Sequence, residues 1–369
     1  MSFLIRSPSW LRLIFLWLRI LPRPRWRELQ PTDPRPSVRW QHSAVYDFAN
    51  NRMVVFGGKT TIEESFNDVW VLKNTNGLGG TPSWVGLTPD GMLPSERHSH
   101  SAVYDAANNR MTIFGGHPGL SPFVNDVWVL KNANGLGGTP SWVRLTPMGK
   151  SPELREWHSA VYDAANNRMI VFGGMGAHSF NDVWVLKNAN GLGGTPAWVE
   201  LTPTGTAPVA REGHSAVYDA ANNRMVVFGG FTAYYKSFFD EVWILTSANG
   251  LAGTPGWVRL MPTGSVPDLL RGDHSAVYDA ANNRMVVFGG WVTSPERYFN
   301  DSWVLTNANG LGGAASWTKL NPSGVAPLKR ELHRAVYDAG GNRMVVFGGS
   351  VSASVFRNDV WVLMSANGL

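Results

Sequence analysis

The chain has 369 residues, no cysteine, 17 tryptophans and 40 glycines, and only 16% of its residues are charged. Without cysteine, disulfides, thiol nucleophiles and cysteine-ligated metals are excluded. The net charge of +5 belongs to the N-terminus: Arg6, Arg12, Arg19, Arg23, Arg25 and Arg27 precede the first acidic residue, Glu28, and from there 26 basic residues face 27 acidic ones. A near-neutral body argues against a nucleic-acid-binding surface.

Residues 1–25 form a basic, apolar leader. Trp10 to Leu21 is apolar apart from Arg12 and Arg19, which share one face of a helix, with Ser7-Pro8 as its start and Pro22 as its stop. The run is too short for a membrane span. Three readings stand: a secretory signal lacking an Ala-x-Ala cleavage site, a basic amphipathic helix lying on an anionic membrane, and a disordered leader or mis-assigned start.

The rest is repetition. His-Ser-Ala-Val-Tyr-Asp starts at His42, His100, His158, His214 and His274, and returns as His-Arg-Ala-Val-Tyr-Asp at His333. An arginine stands three residues before each His: Arg39, Arg97, Arg155, Arg211, Arg271 and Arg330. The His-Ser-Ala-Val-Tyr-Asp segment predicts a first strand. A polar turn (Ala-Ala-Asn-Asn and variants) leads into Arg-Met-Val-Val-Phe, an apolar second strand buried on both faces. Gly-Gly ends it, as at Gly57 and Gly58, where a side chain would be forbidden by conformation or contact. A variable loop leads to a third strand, Asn-Asp-Val-Trp-Val-Leu. An Asn-Gly-Leu-Gly-Gly loop then leads to a fourth, Trp-Val-x-Leu.

Four short strands every ~58 residues predict blades of a propeller, since each sheet has two apolar faces that only neighbouring sheets can cover. The third- and fourth-strand tryptophans are 14 apart in five copies, from Trp70/Trp84 to Trp303/Trp317. The sixth third-strand Trp is Trp361, and the chain ends within the following loop. Trp26-Arg-Glu-Leu29 matches the missing fourth strand, and Trp26 precedes His42 by 16 residues as Trp84 precedes His100. The expectation is an all-β, six-bladed propeller over residues 26–369, closed by the strand Trp26–Leu29 joining the last three.

The Gly-Gly after an apolar strand, the Trp of the third strand and the Trp-x-x-Leu of the fourth resemble the kelch repeat over nearly the whole chain, and the units are similar to those of bacterial kelch-repeat proteins. The resemblance implies a six-bladed propeller. Many kelch relatives are protein-interaction platforms; a few are enzymes, including galactose oxidase and sialic-acid mutarotases. The oxidase chemistry needs a Tyr crosslinked to Cys beside copper, and this chain has no Cys.

Six equivalent histidines could form a metal-binding ring. Their recurrence beside the same Arg and Tyr favours a structural role instead, because a substrate lacks six-fold symmetry. The Asp of Tyr-Asp is expected to cap the following turn or pair with the next Arg, and the Asn-rich loop lacks the carboxylates of a Ca²⁺ site. No catalytic set stands out, and no metal or cofactor is expected. Length varies between Gly-Gly and the third-strand Trp, in loops 59–66, 117–124, 175–180, 231–239, 291–299 and 350–357. Irregular loops on one face of a regular scaffold suit binding. The candidate ligand-binding residues are Phe231, Tyr234, Tyr235, Lys236, Trp291, Glu296, Arg297 and Tyr298, with His117 and His178. The expected function is non-enzymatic recognition of a protein or glycan by this face, in a secreted or membrane-associated protein of open oligomeric state. The alternatives are a carbohydrate-active enzyme resembling the mutarotases, favoured by asymmetric polar residues in a deep funnel, and a structural or surface-assembly protein.

Overall fold

The computed structural model describes residues 23–60, 64–119, 122–232, 235, 237–265 and 270–369; the leader up to residue 22, Tyr234 and Lys236 lie outside these. The described residues form six four-stranded antiparallel sheets arranged as the blades of a propeller. Blade one consists of β1 (Ser43–Asp47), β2 (Arg52–Phe56), β3 (Val69–Lys73) and β4 (Ser83–Leu87), and blades two to five repeat this order. In blade six the strands Arg334–Asp338, Arg343–Phe347 and Val360–Met364 are followed by Arg25–Leu29, which pairs antiparallel with the last of them, Trp26 opposite Leu363 and Leu29 opposite Val360.

The apolar faces close on one another between blades. The cluster at the first interface combines Val54, Phe56 and Val71 of blade one with Met111, Ile113 and Trp128 of blade two. The same pattern recurs at each of the other five interfaces. Trp26 belongs to the interface of blades five and six, its ring 4.9 Å from that of Phe288.

Two polar devices accompany this packing. Within each blade the Arg of Arg-x-x-His is fully buried. Arg39 donates to the Gly57 carbonyl at 3.0 Å and forks onto both carboxylate oxygens of Asp68 at 2.7 and 2.9 Å. Asp68 also accepts the Trp70 indole N–H. Such a bidentate pair is strong because the fork matches the carboxylate. In blade four Glu241 replaces the Asp, giving one oxygen to Arg211 and the other to Arg259. Between blades, Asp47 holds its own turn through Asn50 and accepts the side chain of Asn134 from blade two. Arg52 donates to the Asn134 carbonyl rather than to Asp47. The Asn-Gly loop is therefore an inter-blade staple as well as a turn, and it recurs six times, ending with Asn76 on Asp338.

The Gly-Gly doublet is explained at Gly57 and Gly58. Both have positive φ (65° and 89°), and a Cβ on Gly57 would sit 2.7 Å from the Arg97 carbonyl oxygen of the next blade. The Gly58 N–H donates to that same carbonyl at 2.9 Å.

Trp26→Ala is expected to lower unfolding stability by about 3–5 kcal/mol, the range for removing a buried Trp, measured by denaturant titration. A loss near zero would mean that Arg25–Leu29 does not carry the closure of the ring.

Candidate functional site at the channel mouth

The buried Arg and the buried His of each Arg-x-x-His anchor the ends of a two-residue segment. The six segments converge at one end of the central channel. The first residue of each forms an antiparallel bridge with the residue after Gly-Gly: Trp40 with Lys59, His98 with His117, Glu156 with Met175, Glu212 with Phe231, Gly272 with Trp291, and Glu331 with Ser350. Each bridge has two reciprocal hydrogen bonds of 2.9–3.1 Å. The second residue has positive φ in every blade and donates its N–H to the carbonyl of its counterpart in the adjacent blade: Gln41 to Leu332, Leu332 to Asp273, Asp273 to Gly213, Gly213 to Trp157, Trp157 to Ser99, and Ser99 back to Gln41. A closed ring of six backbone hydrogen bonds therefore encircles the mouth. Backbone geometry is constant around it while the side chains vary: the first position holds Trp, His, Glu or Gly, and the second a different residue in each blade.

Below the ring, five of the six histidines place Nε2 within 2.8–2.9 Å of a serine hydroxyl of the neighbouring blade, as His100 does with Ser43. Burial depresses the pKa of all six, so the imidazoles are neutral. The sixth link is broken. Arg334 stands where the other blades have Ser, and both ring nitrogens of His42 lack a hydrogen-bond partner. Arg334 lines the narrow channel with the serines.

The mouth is asymmetric and acidic. Glu156, Glu212, Asp273 and Glu331 are each under 8% exposed. Burial raises the pKa of Glu156 and Glu212 to about 7, with neighbouring carboxylates adding to the rise. Asp273 and Glu331 are likewise held above the usual carboxylate range, by burial first and, for Glu331, by the Asp273 charge next. The Trp291 indole donates to Asp273 at 3.0 Å, and the Arg334 charge favours the Asp273 anion. Tyr235 faces all four carboxylates, which together with burial push its hydroxyl pKa up.

The structure distributes the sequence candidates unevenly. Trp291, Tyr235 and Tyr298 form an aromatic step beside the mouth: Tyr235 packs edge-on against Trp291 at 5.3 Å, and Tyr298 lies 6.2 Å from it nearly parallel. Glu296 and Arg297 are exposed on the same hairpin, Trp291–Thr293 with Glu296–Tyr298. Phe231, expected on the open loop surface, is instead fully buried. It is the floor of a small cluster with Phe238, Val292 and Phe299 on which Tyr235 rests. His178 is exposed against Phe180, away from this step, and His117 belongs to the bridge with His98. Tyr234 and Lys236 lie outside the described residues. The four carboxylates were not singled out from the sequence. The signal was present: within Arg-x-x-His the two central residues differ in every copy.

The fold and mouth define a six-bladed propeller with a constant frame and a variable rim. The chain belongs to the kelch-repeat family: the KLHDC2/KLHL20/DRC7 Kelch-repeats domain matches residues 15–187, 138–269 and 253–368. It is 27% identical over 301 residues to the bovine Kelch domain-containing protein 3, covering 78% of this chain and 72% of that protein. It is 27% identical over 378 residues to the Caenorhabditis elegans host cell factor homolog hcf-1, covering 92% of this chain but 44% of that longer protein. Among solved structures, YjhT superposes with a TM-score of 0.64 at 16% identity over 89% of this chain and 95% of the other, a likeness of fold.

A carboxyl whose folded pKa lies above its unfolded one contributes stability below the unfolded value and loses it as pH rises through the folded value. For Glu212, which faces Asp273 and Glu156 and accepts a hydrogen bond from Ser179, that window runs from about 4.5 to about 7. Glu212→Gln is expected to leave stability at pH 4 unchanged and to raise it at pH 8 by about 1 kcal/mol, discounted for solvent at the mouth. Thermal melts at the two pH values check this.

Proposed function

We propose that this protein is a non-enzymatic recognition propeller that takes a protein partner on its channel-mouth face, with a cationic side chain of the partner entering among Glu212, Asp273 and Glu331. The observation that carries this reading is the concentration of side-chain variation at the rim of a ring whose backbone does not vary. The rim gathers the buried carboxylates of Glu212, Asp273 and Glu331 next to the aromatic step of Tyr235, Trp291 and Tyr298. A Lys or Arg entering there would donate charge-assisted hydrogen bonds to carboxylates already desolvated, and the flanking aromatics supply contact area and cation–π attraction. Similarity to the Kelch domain-containing protein and host cell factor supports a binding propeller, although the chain spans under half of the latter. The basic leader would hold such a propeller at an anionic membrane surface, which fractionation of the full chain would reveal.

A second reading has one observation in its favour. The polar residues of the mouth are asymmetric, and carboxyls with pKa near 7 suit general acid–base chemistry on a carbohydrate.

Selection of a random peptide library on the full chain is expected to enrich peptides with Lys or Arg at one fixed position. Asp273→Asn with Glu331→Gln should weaken the selected peptide at least ~30-fold, the lower range for unpairing a buried charge; Tyr235→Ala should weaken it about tenfold. Enrichment of acidic or neutral peptides, or binding unchanged by the double variant, would discard the cation pocket. Glycan-array capture lost in the same variants would favour the carbohydrate reading.

A further inference from the structure

The opposite side of the mouth, between blades two and three, carries a different group of side chains. His98 and His117 face each other across their backbone bridge, with rings edge to face at 4.9 Å. Glu156 arrives from blade three at the position equivalent to His98. Nδ1 of each imidazole lies 3.9 Å from Glu156 Oε2, and one ligand atom from each of the three residues lies within 4.8 Å of the others. Among the described residues this is the one group of histidines and carboxylates with that proximity. Glu156 Oε2 is buried and has no hydrogen-bond partner, on a side chain only 5% exposed. A buried acceptor without a partner is costly, and here it points at two imidazoles.

We propose that His98, His117 and Glu156 bind a divalent first-row transition metal ion of the zinc class, through two imidazole nitrogens and one carboxylate oxygen, with a fourth position open toward the channel mouth. In a tetrahedral site with bonds of about 2.0–2.1 Å, ligand atoms stand roughly 3.4 Å apart, so side-chain movements of about 1 Å complete the set from the separations present. Imidazole donors disfavour calcium and magnesium, which take oxygen ligands. The Ser99 hydroxyl, 3.0 Å from His98 Nδ1 and also hydrogen-bonded to the Glu156 carboxyl, can release the imidazole and keep the carboxylate oriented. His117 also lines a cavity of about 340 Å³ with Pro122, Phe123 and Leu154.

The charge opposing the metal is Lys59. Its ammonium sits 4.6 Å from the Trp40 ring centroid and partly balances Glu156, yet leaves Oε2 unbound. Replacing it with a neutral side chain removes a like charge from the site.

The full chain, stripped with a chelator, is titrated with Zn²⁺ by calorimetry and with Co²⁺ by visible absorption. One equivalent of zinc should bind, and Co²⁺ should give the intense d–d bands of low coordination number. Glu156→Gln, close in shape, and His98→Ala should each weaken binding at least ~100-fold while metal-free melting shows that both remain folded. Lys59→Met should tighten binding, and His178→Ala should leave it unchanged. Absence of saturable binding, saturation retained in both Glu156→Gln and His98→Ala, or loss in His178→Ala overturns the assignment.

Discussion

The buried arginine that precedes each first strand is the interaction on which the ring depends. Its guanidinium ties the Gly carbonyl that ends the second strand to the carboxylate that opens the third, so it fixes three elements of its own blade at once. Its carbonyl accepts the second Gly N–H of the neighbouring blade. One residue therefore sets both the internal geometry of a blade and its angle to the next. The side chain is fully buried in all six blades, which a lone guanidinium could not tolerate. Two carboxylate oxygens in five blades and one Glu241 oxygen in blade four, with the glycine carbonyl and, in four blades, a phenylalanine ring under the guanidinium at 4.2–4.5 Å, satisfy it. Losing the carboxylate would leave a buried unpaired charge, the expensive way to break such a pair.

That anchoring explains why the mouth can vary. The two residues after the arginine are held by main-chain hydrogen bonds, one across the local bridge and one around the closed ring. Neither bond uses a side chain. The positive φ of the second position carries Gln41, Ser99, Trp157, Asp273 and Leu332 as well as Gly213. Strain of that kind in non-glycine residues persists only where the surroundings over-determine it, and a six-membered ring of hydrogen bonds does so. Side chains there are released from structural duty, in contrast with the histidines one position on, whose Nε2 atoms are engaged by serines in five blades.

Much of the frame was legible because it is written in fixed spacings: the His-to-Gly-Gly interval, the paired tryptophans, and the Trp26 match that assigns a fourth strand to blade six. The site was less so, for a physical reason. Loop length drew attention to the segments after Gly-Gly, where aromatic residues cluster, and composition alone cannot say whether an aromatic faces out or packs beneath its neighbours. Trp291 and Tyr235 form an open step; Phe231 is the floor under it. The carboxylates escaped notice because Glu156, Glu212, Asp273 and Glu331 sit inside a constant motif, where a variable residue reads as a spacer. Their proximity arises only when six blades close, since consecutive ones lie about 58 residues apart in the chain.

The contrast between His42 and its five counterparts shows how symmetry and function divide here. Where Ser accompanies His, the pair closes a link between blades and is the same everywhere. Where Arg334 replaces Ser, the link is lost and a positive charge enters the channel beneath Asp273, on which it acts. A repeat protein gives up a structural contact at one blade only when the frame is stable without it, and the five remaining links, the arginine clamps and the Asn–Asp staples leave it so. The asymmetry is gathered around the mouth. It joins the imidazoles of blade two, the carboxylates of blades three to six and the lone arginine below them, and places opposite charges at two depths of one narrow opening. A ligand that reads both depths must be elongated and polar along its length, which a protruding side chain with its attached backbone satisfies and a flat surface contact does not.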